Sequence, residues 1–180
     1  MLNGTVAANG KIVHRGTVIR LLLIIPSGRL PFILRSDTIG SGFAEHLDPA
    51  ALVIGPTGVG LARNGTLYVA DTVANRIAAI PHAVFRVSSA GRGITVSRGG
   101  ALNGPLGLVV APGGNILTVN SGNGNLVETT PFGAQIAVRQ LDSSGGPPPG
   151  AGALFGLAVK PHHRAVYFVD DATNTLNLLH

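Results

Sequence analysis

One hundred and eighty residues are enough for one domain with a sizeable core, and 45% hydrophobic against 12% charged residues excludes wholesale disorder. Gly (26) and Pro (12) make up about a fifth of the chain with no three-residue period, which excludes collagen and points to short strands joined by tight turns. There is no cysteine, so disulfides, thiolate metal sites and cysteine nucleophiles are excluded, and the net charge of +5 reflects only eight acidic residues against scattered single arginines, which speaks against nucleic-acid binding.

The chain opens with Asn3-Gly4-Thr5 and Asn9-Gly10-Lys11, which read as a polar turn. Thr17 to Ile25 reads as a strand, Pro26-Ser27-Gly28 as a turn and Leu30 to Leu34 as a second strand. The run Leu21-Leu22-Leu23-Ile24-Ile25 stops at Pro26, well short of the ~20 apolar residues of a membrane span. It also begins too far into the chain, and lacks the cleavage site, for a signal peptide. A buried strand is expected there. Ser36 to Pro49 is expected to be a loop crossing into the next unit.

From there the chain repeats itself. Gly55-Pro56-Thr57-Gly58-Val59-Gly60-Leu61 returns 49 residues later as Gly104-Pro105-Leu106-Gly107-Leu108-Val109-Val110. It returns again as Leu154-Phe155-Gly156-Leu157-Ala158-Val159. The continuation repeats as well: Leu67-Tyr68-Val69-Ala70-Asp71, Ile116-Leu117-Thr118-Val119-Asn120 and Val166-Tyr167-Phe168-Val169-Asp170. Turns built on Asn64-Gly65, Pro112-Gly113-Gly114 and Pro161-His162-His163 separate these strand pairs. A third strand begins at Arg76-Ile77, Leu126-Val127 and Thr175-Leu176, and a fourth is expected near Val84 to Ser88 and near Ala134 to Val138. The last unit ends after its third strand. Ser143 to Gly150, mostly Pro and Gly, reads as a mobile connection.

Four short antiparallel strands in each ~40–50-residue unit are the pattern of a propeller blade. The expected fold class is an all-β β-propeller of four-stranded antiparallel blades, with about three to three and a half blades at a period of about 49 residues. A β-sandwich, the rival, predicts no such register. The expected division within one domain is 1–48 (outer strands of a partial blade and the crossing loop), 49–101 (a blade), 102–152 (a blade with the Gly/Pro-rich loop) and 153–180 (a C-terminal partial blade). Gly58, Gly107 and Gly156 are expected on inner strands, where a missing side chain permits close backbone approach.

Gly65-Thr66-Leu67-Tyr68-Val69-Ala70-Asp71, followed by Asn75-Arg76-Ile77, resembles the NHL repeat. The second copy departs at Asn120 and Leu126, and the third keeps Asp170 and Asn174 without Arg-Ile. The resemblance covers about residues 49 to 180. It implies the C-terminal half of a bacterial six-bladed NHL-type propeller, often exported to the periplasm or beyond; the residues themselves assign no compartment. An open fan of blades exposes apolar faces and sheet edges. Two arrangements remove them: a longer protein with further N-terminal blades, which Met1 inside a turn-like segment favours, or a homodimer that closes the ring.

Asp71, Asn120 and Asp170 recur at one point of each unit. Around a central channel, such oxygens suit a divalent cation, as in gluconolactonase-like enzymes. The simpler expectation is that each caps its own turn by accepting from backbone N–H groups. His14, His46, His82, His162, His163 and His180 show no metal-ligand spacing, and there is no Gly-x-Ser-x-Gly elbow or phosphate loop. Asn3-Gly4-Thr5 and Asn64-Gly65-Thr66 are formal glycosylation sequons, the latter needed for its turn anyway. No residue is nominated as catalytic, cofactor-binding or metal-ligating, and no cofactor is expected. The expected function is a non-catalytic scaffold for a protein, peptide or glycan, with no nucleic acid and no membrane span. The alternative is a divalent-metal-dependent propeller hydrolase or lyase.

Overall fold

The structure is a computed structural model and describes residues 11–49, 52–160 and 165–180. Among them fourteen strands form four antiparallel sheets, and there is no helix. The first sheet holds β1 (Val13–Ile24), β2 (Phe32–Asp48) and β3 (Leu52–Ile54). The second holds β4 (Pro56–Leu61), β5 (Leu67–Asp71), β6 (Arg76–Ile80) and β7 (Ile94–Arg98). The third holds β8 (Pro105–Val110), β9 (Ile116–Asn120), β10 (Asn125–Thr129) and β11 (Gln135–Gln140). The fourth holds β12 (Leu154–Val159), β13 (Val166–Asp170) and β14 (Thr175–Leu179). In every sheet each strand pairs with the next in chain order.

The sheets are blades stacked side by side, as a propeller requires. Successive residues on a strand face opposite sides, so each blade presents one apolar set to the blade before and another to the blade after. Val18, Ile39 and Phe43 of the first sheet pack on Val69, Ala78 and Ile80 of the second. Tyr68, Ala70, Ile77 and Ala79 on the other side of the second sheet meet Leu108, Ile116 and Val127. Leu117, Val119 and Leu126 then meet Leu154 and Phe168. The core therefore lies in three layers, one at each junction between blades.

The inner strands β4, β8 and β12 carry the expected glycines. A Cβ on Gly58 would overlap the Leu106 carbonyl oxygen, and one on Gly107 would overlap that of Phe155. The turn before each third strand needs a left-handed residue, supplied by Asn75 (φ 49°), Gly124 (φ 63°) and Asn174 (φ 54°).

Four expectations are corrected. Ser36 to Pro49 is not a loop: β2 runs to Asp48 as the partner of β1. Gly40, which reads as loop, is a packing site, since a Cβ there would be 2.8 Å from Ile80 Cδ1. The Leu21–Ile25 run forms strand as far as Ile24 but is exposed, Leu22 at 49%. Its twelve-residue strand, about 40 Å long at ~3.3 Å per residue, overhangs blades built from strands of five or six. The fourth strand of the second sheet is not at Val84–Ser88 but at β7. The repeat hides this because the connection before β7 is long (81–93) and the one after it short (99–104), whereas the third sheet reverses the two (130–134 and 141–153). The fourth correction concerns Asp71 and Asn120 and is described below. The turns at Asn3–Gly10 and Pro161–His163 lie outside the described residues.

Candidate functional site

Asp71, Asn120 and Asp170 sit at equivalent places, each closing the second strand of its blade opposite the start of the inner strand: Pro56, Pro105 and Leu154. Their chemistry differs. Asp71 Oδ2 accepts from Arg76 Nε at 2.8 Å, directly across the β5–β6 pair. The same guanidinium donates to Thr95 Oγ1 (2.8 Å) and to the Arg92 carbonyl (2.7 Å), and it stands 5.9 Å from the Phe43 ring centre. Asn120 Nδ2 donates to the Ala101 carbonyl at 2.8 Å and to Asn123 Oδ1 at 3.0 Å. Asp170 Oδ1 accepts from the Thr173 N–H at 3.2 Å. Turn capping thus holds for Asp170; Asp71 is an ion-pair partner and Asn120 a link to the preceding loop.

The strand registers explain the divergence. Arg76 faces Asp71, Asn125 follows Asn120 at the same spacing, and Thr175 faces Asp170, so of these three blades only the second sheet has a cation to bury beside its carboxylate. Asp71 Oδ1 and Asn120 Oδ1 are buried without a hydrogen-bond partner. Among the described residues no three His, Cys, Asp or Glu side chains converge as a metal site. His14, His46, His82 and His180 lie on separate elements, His46 Nδ1 contacting the Leu47 carbonyl at 2.7 Å.

A concavity lies elsewhere. A groove of about 840 Å³ runs between β1 and the exposed side of β4 and β5. Its walls are mainly aliphatic: Val18, Ile19 and Leu21 on one side, Val59, Leu61 and Leu67 on the other. β1 is the end strand of its sheet, so its outer edge borders the groove. One rim is polar. Asp37 Oδ2 accepts from Arg20 (2.6 Å) and from Arg35 (2.8 Å), and Arg20 also donates to the Ala83 and Val84 carbonyls. These bonds hold the Asp37 carboxyl below its ordinary value of 3.8, Arg20 contributing most. They also fix the overhanging hairpin to the second blade. Sequence reasoning missed the groove; the available signal was Val59 and Leu61, apolar residues on an inner strand, and the described residues of the first sheet include no equivalent inner strand.

No family model matches the chain, and no curated protein does. Solved structures do. A chain of the nidogen/laminin complex aligns with a TM-score of 0.63 at 16% identity, covering 93% of this chain and 55% of that one. Virginiamycin B lyase from Staphylococcus aureus, crystallised as a catalytically inactive form with quinupristin, aligns with a TM-score of 0.55 at 13% identity, covering 91% and 45%. Regucalcin from Agrobacterium tumefaciens, described as a calcium-binding protein, aligns with a TM-score of 0.51 at 17% identity, covering 74% and 43%. The fold is a β-propeller. This chain spans about half the length of the propellers it matches.

Proposed function

We propose that this chain is a non-catalytic interaction module, an NHL-type propeller segment that binds a polypeptide partner. The groove beside β1 carries this reading. It is large, open and aliphatic, and it runs along an end strand whose backbone can add a further strand, with alternate side chains entering the apolar walls. The walls are mainly aliphatic, with Phe85 and the Arg20–Asp37–Arg35 rim as exceptions, which suits the apolar side chains of a peptide more than a glycan. The nidogen match comes from a protein–protein complex, which agrees with the reading, but at 16% identity it speaks only for the fold.

The test uses an N-acetylated peptide of alternating threonine and valine, titrated against the chain and followed by hydrogen exchange. Saturable binding that protects β1 amides, and that Leu21→Asp weakens at least tenfold, is expected. Binding that leaves β1 unprotected, or no saturable binding, would refute the reading.

One observation favours the alternative of a metal-dependent hydrolase or lyase: Asp71 Oδ1 and Asn120 Oδ1 are unpartnered in successive blades. Against it, Asp71 already neutralises the buried Arg76, a cation where the metal would sit. A calcium-dependent rise in melting temperature, reversed by chelator and abolished by Asn120→Ala, would revive it.

A further inference from the structure

The net charge of the chain is concentrated in one element. Residues 11–37 carry five cations, Lys11, Arg15, Arg20, Arg29 and Arg35, against Asp37 alone, a balance of +4 out of the chain's +5. Residues 38–180 hold eight cations and seven acids. The basic segment is the β1–β2 hairpin, the element that overhangs the blades.

Beyond the Arg20–Asp37 pairing this hairpin is apolar on both faces. Successive strand residues face opposite sides, and Leu21 through Ile25 are all exposed. Leu30, Phe32, Ile33 and Leu34 on the returning arm are exposed as well. Leu23 pairs with Ile33 and Ile24 with Phe32, so the apolar residues of the two arms lie side by side. A hairpin facing water would alternate polar with apolar side chains; a continuous exposed apolar patch marks a contact surface. Five residues of strand make this stretch about 16 Å long at ~3.3 Å each. Cations bracket it. At its base Arg20 and Arg35 share Asp37, which leaves one positive charge in excess. At its tip the Arg29 N–H closes the turn on the Pro26 carbonyl at 3.3 Å, and Arg29 is exposed.

We propose that the overhanging hairpin docks the chain on an anionic lipid surface. Residues 21–25 and 30–34 enter the boundary of the acyl chains, and Arg29 and Arg35 meet headgroup phosphates at either end. Charge complementarity selects this partner: five cations and a single, already paired acid suit a negative surface. The apolar stretch between the cations selects lipid over nucleic acid, because a phosphate backbone offers nothing to cover leucines and isoleucines. Arg29 sets the orientation. A hairpin standing end-on would carry it about 16 Å down, near the centre of a ~30 Å hydrocarbon core, where a cation is costly. Lying along the interface, the hairpin keeps both charged ends at the headgroups. The inference goes beyond the peptide groove and does not depend on it: Leu23, Arg29 and Phe32 lie outside the groove lining.

The chain has no tryptophan, which makes the test direct. Phe32→Trp places a single reporter in the hairpin. Phe132→Trp, at a site 98% exposed between β10 and β11, places one on another exposed apolar position. With vesicles of phosphatidylcholine and phosphatidylglycerol, the emission at 32 should shift to the blue and be quenched by brominated acyl chains, and the emission at 132 should not. Sedimentation of the chain with the same vesicles should fall at least about tenfold for Leu23→Asp and about fivefold for Arg29→Gln, with the β-sheet spectrum intact. Raising salt to about 0.5 M should also weaken it. No sedimentation with anionic vesicles, equal quenching at 32 and 132, or equal binding to phosphatidylcholine alone would overturn the proposal. A chain that ignores vesicles but self-associates, with Leu23→Asp lowering its mass in light scattering, would overturn the lipid assignment and give the surface to a second copy.

Discussion

Arg76 reaches Asp71 at 2.8 Å with 5% and 1% of the two side chains exposed, so the second blade closes its β5–β6 turn on a buried ion pair. All three polar nitrogens of the guanidinium have acceptors: Asp71, Thr95 and the Arg92 carbonyl. The pair therefore ties the middle of the blade to its outermost strand and to the loop before it.

Removing one partner of such a pair strands the other charge in a buried site. Arg76→Met is expected to lower the unfolding free energy by about 3–5 kcal/mol. Arg76→Met with Asp71→Asn is expected to recover part of that loss, because no uncompensated carboxylate remains. Urea unfolding of wild type, both single variants and the double variant measures the coupling.

The glycines of the inner strands divide by what surrounds them. Gly107→Ala places a methyl group against the Phe155 carbonyl, and backbone cannot yield cheaply, so a loss of at least about 1–3 kcal/mol is expected. Gly113→Ala, in the open turn between β8 and β9, meets nothing within 4 Å and is expected to be neutral or to gain up to about 1 kcal/mol. Thermal unfolding of the two variants separates close approach from backbone freedom.

Asn75 combines a left-handed backbone with a side chain that reaches the next blade. Its Nδ2 donates to the Leu102 carbonyl at 2.9 Å, and its Oδ1 accepts from the Gly104 N–H at 3.0 Å. Asn75→Gly keeps the conformation and loses both bonds, at roughly 1–3 kcal/mol. Asn75→Ala should lose about 1–2 kcal/mol more for the left-handed strain. The difference between the two unfolding free energies isolates the backbone part.

The hairpin anchor at Asp37 carries a pH dependence of known sign. Its carboxyl is held below 3.8 by Arg20 and then Arg35, so the folded state favours the ionised form. That contribution is complete above the ordinary value and is lost as pH falls through the lower folded value. The melting-temperature difference between wild type and Asp37→Asn should therefore be constant from neutral pH to about pH 5 and shrink below about pH 4. Salt should reduce it, because the groups are accessible.

The strands from Leu67 to Ile80 and from Ile116 to Thr129 follow from short apolar runs that recur at the 49-residue shift, and the turns between them from the polar clusters Thr72 to Asn75 and Ser121 to Asn125. β2 was illegible because Gly40 and Gly42 look like loop until Ile80 is placed against Gly40. β7 was illegible because two connections of opposite length leave the 49-residue register unchanged.

The all-β class, the 49-residue register of the blades and the inner-strand glycines could be read from the chain because short apolar runs and turn residues are local features that repeat along it. Tertiary structure alone decided that Asp71 pairs with Arg76, that the apolar run of β1 stands exposed, and that Val59 and Leu61 face a groove. Those outcomes depend on which residues of distant segments lie opposite one another. A motif repeated every 49 residues looks the same in sequence whether or not a neighbouring blade covers it.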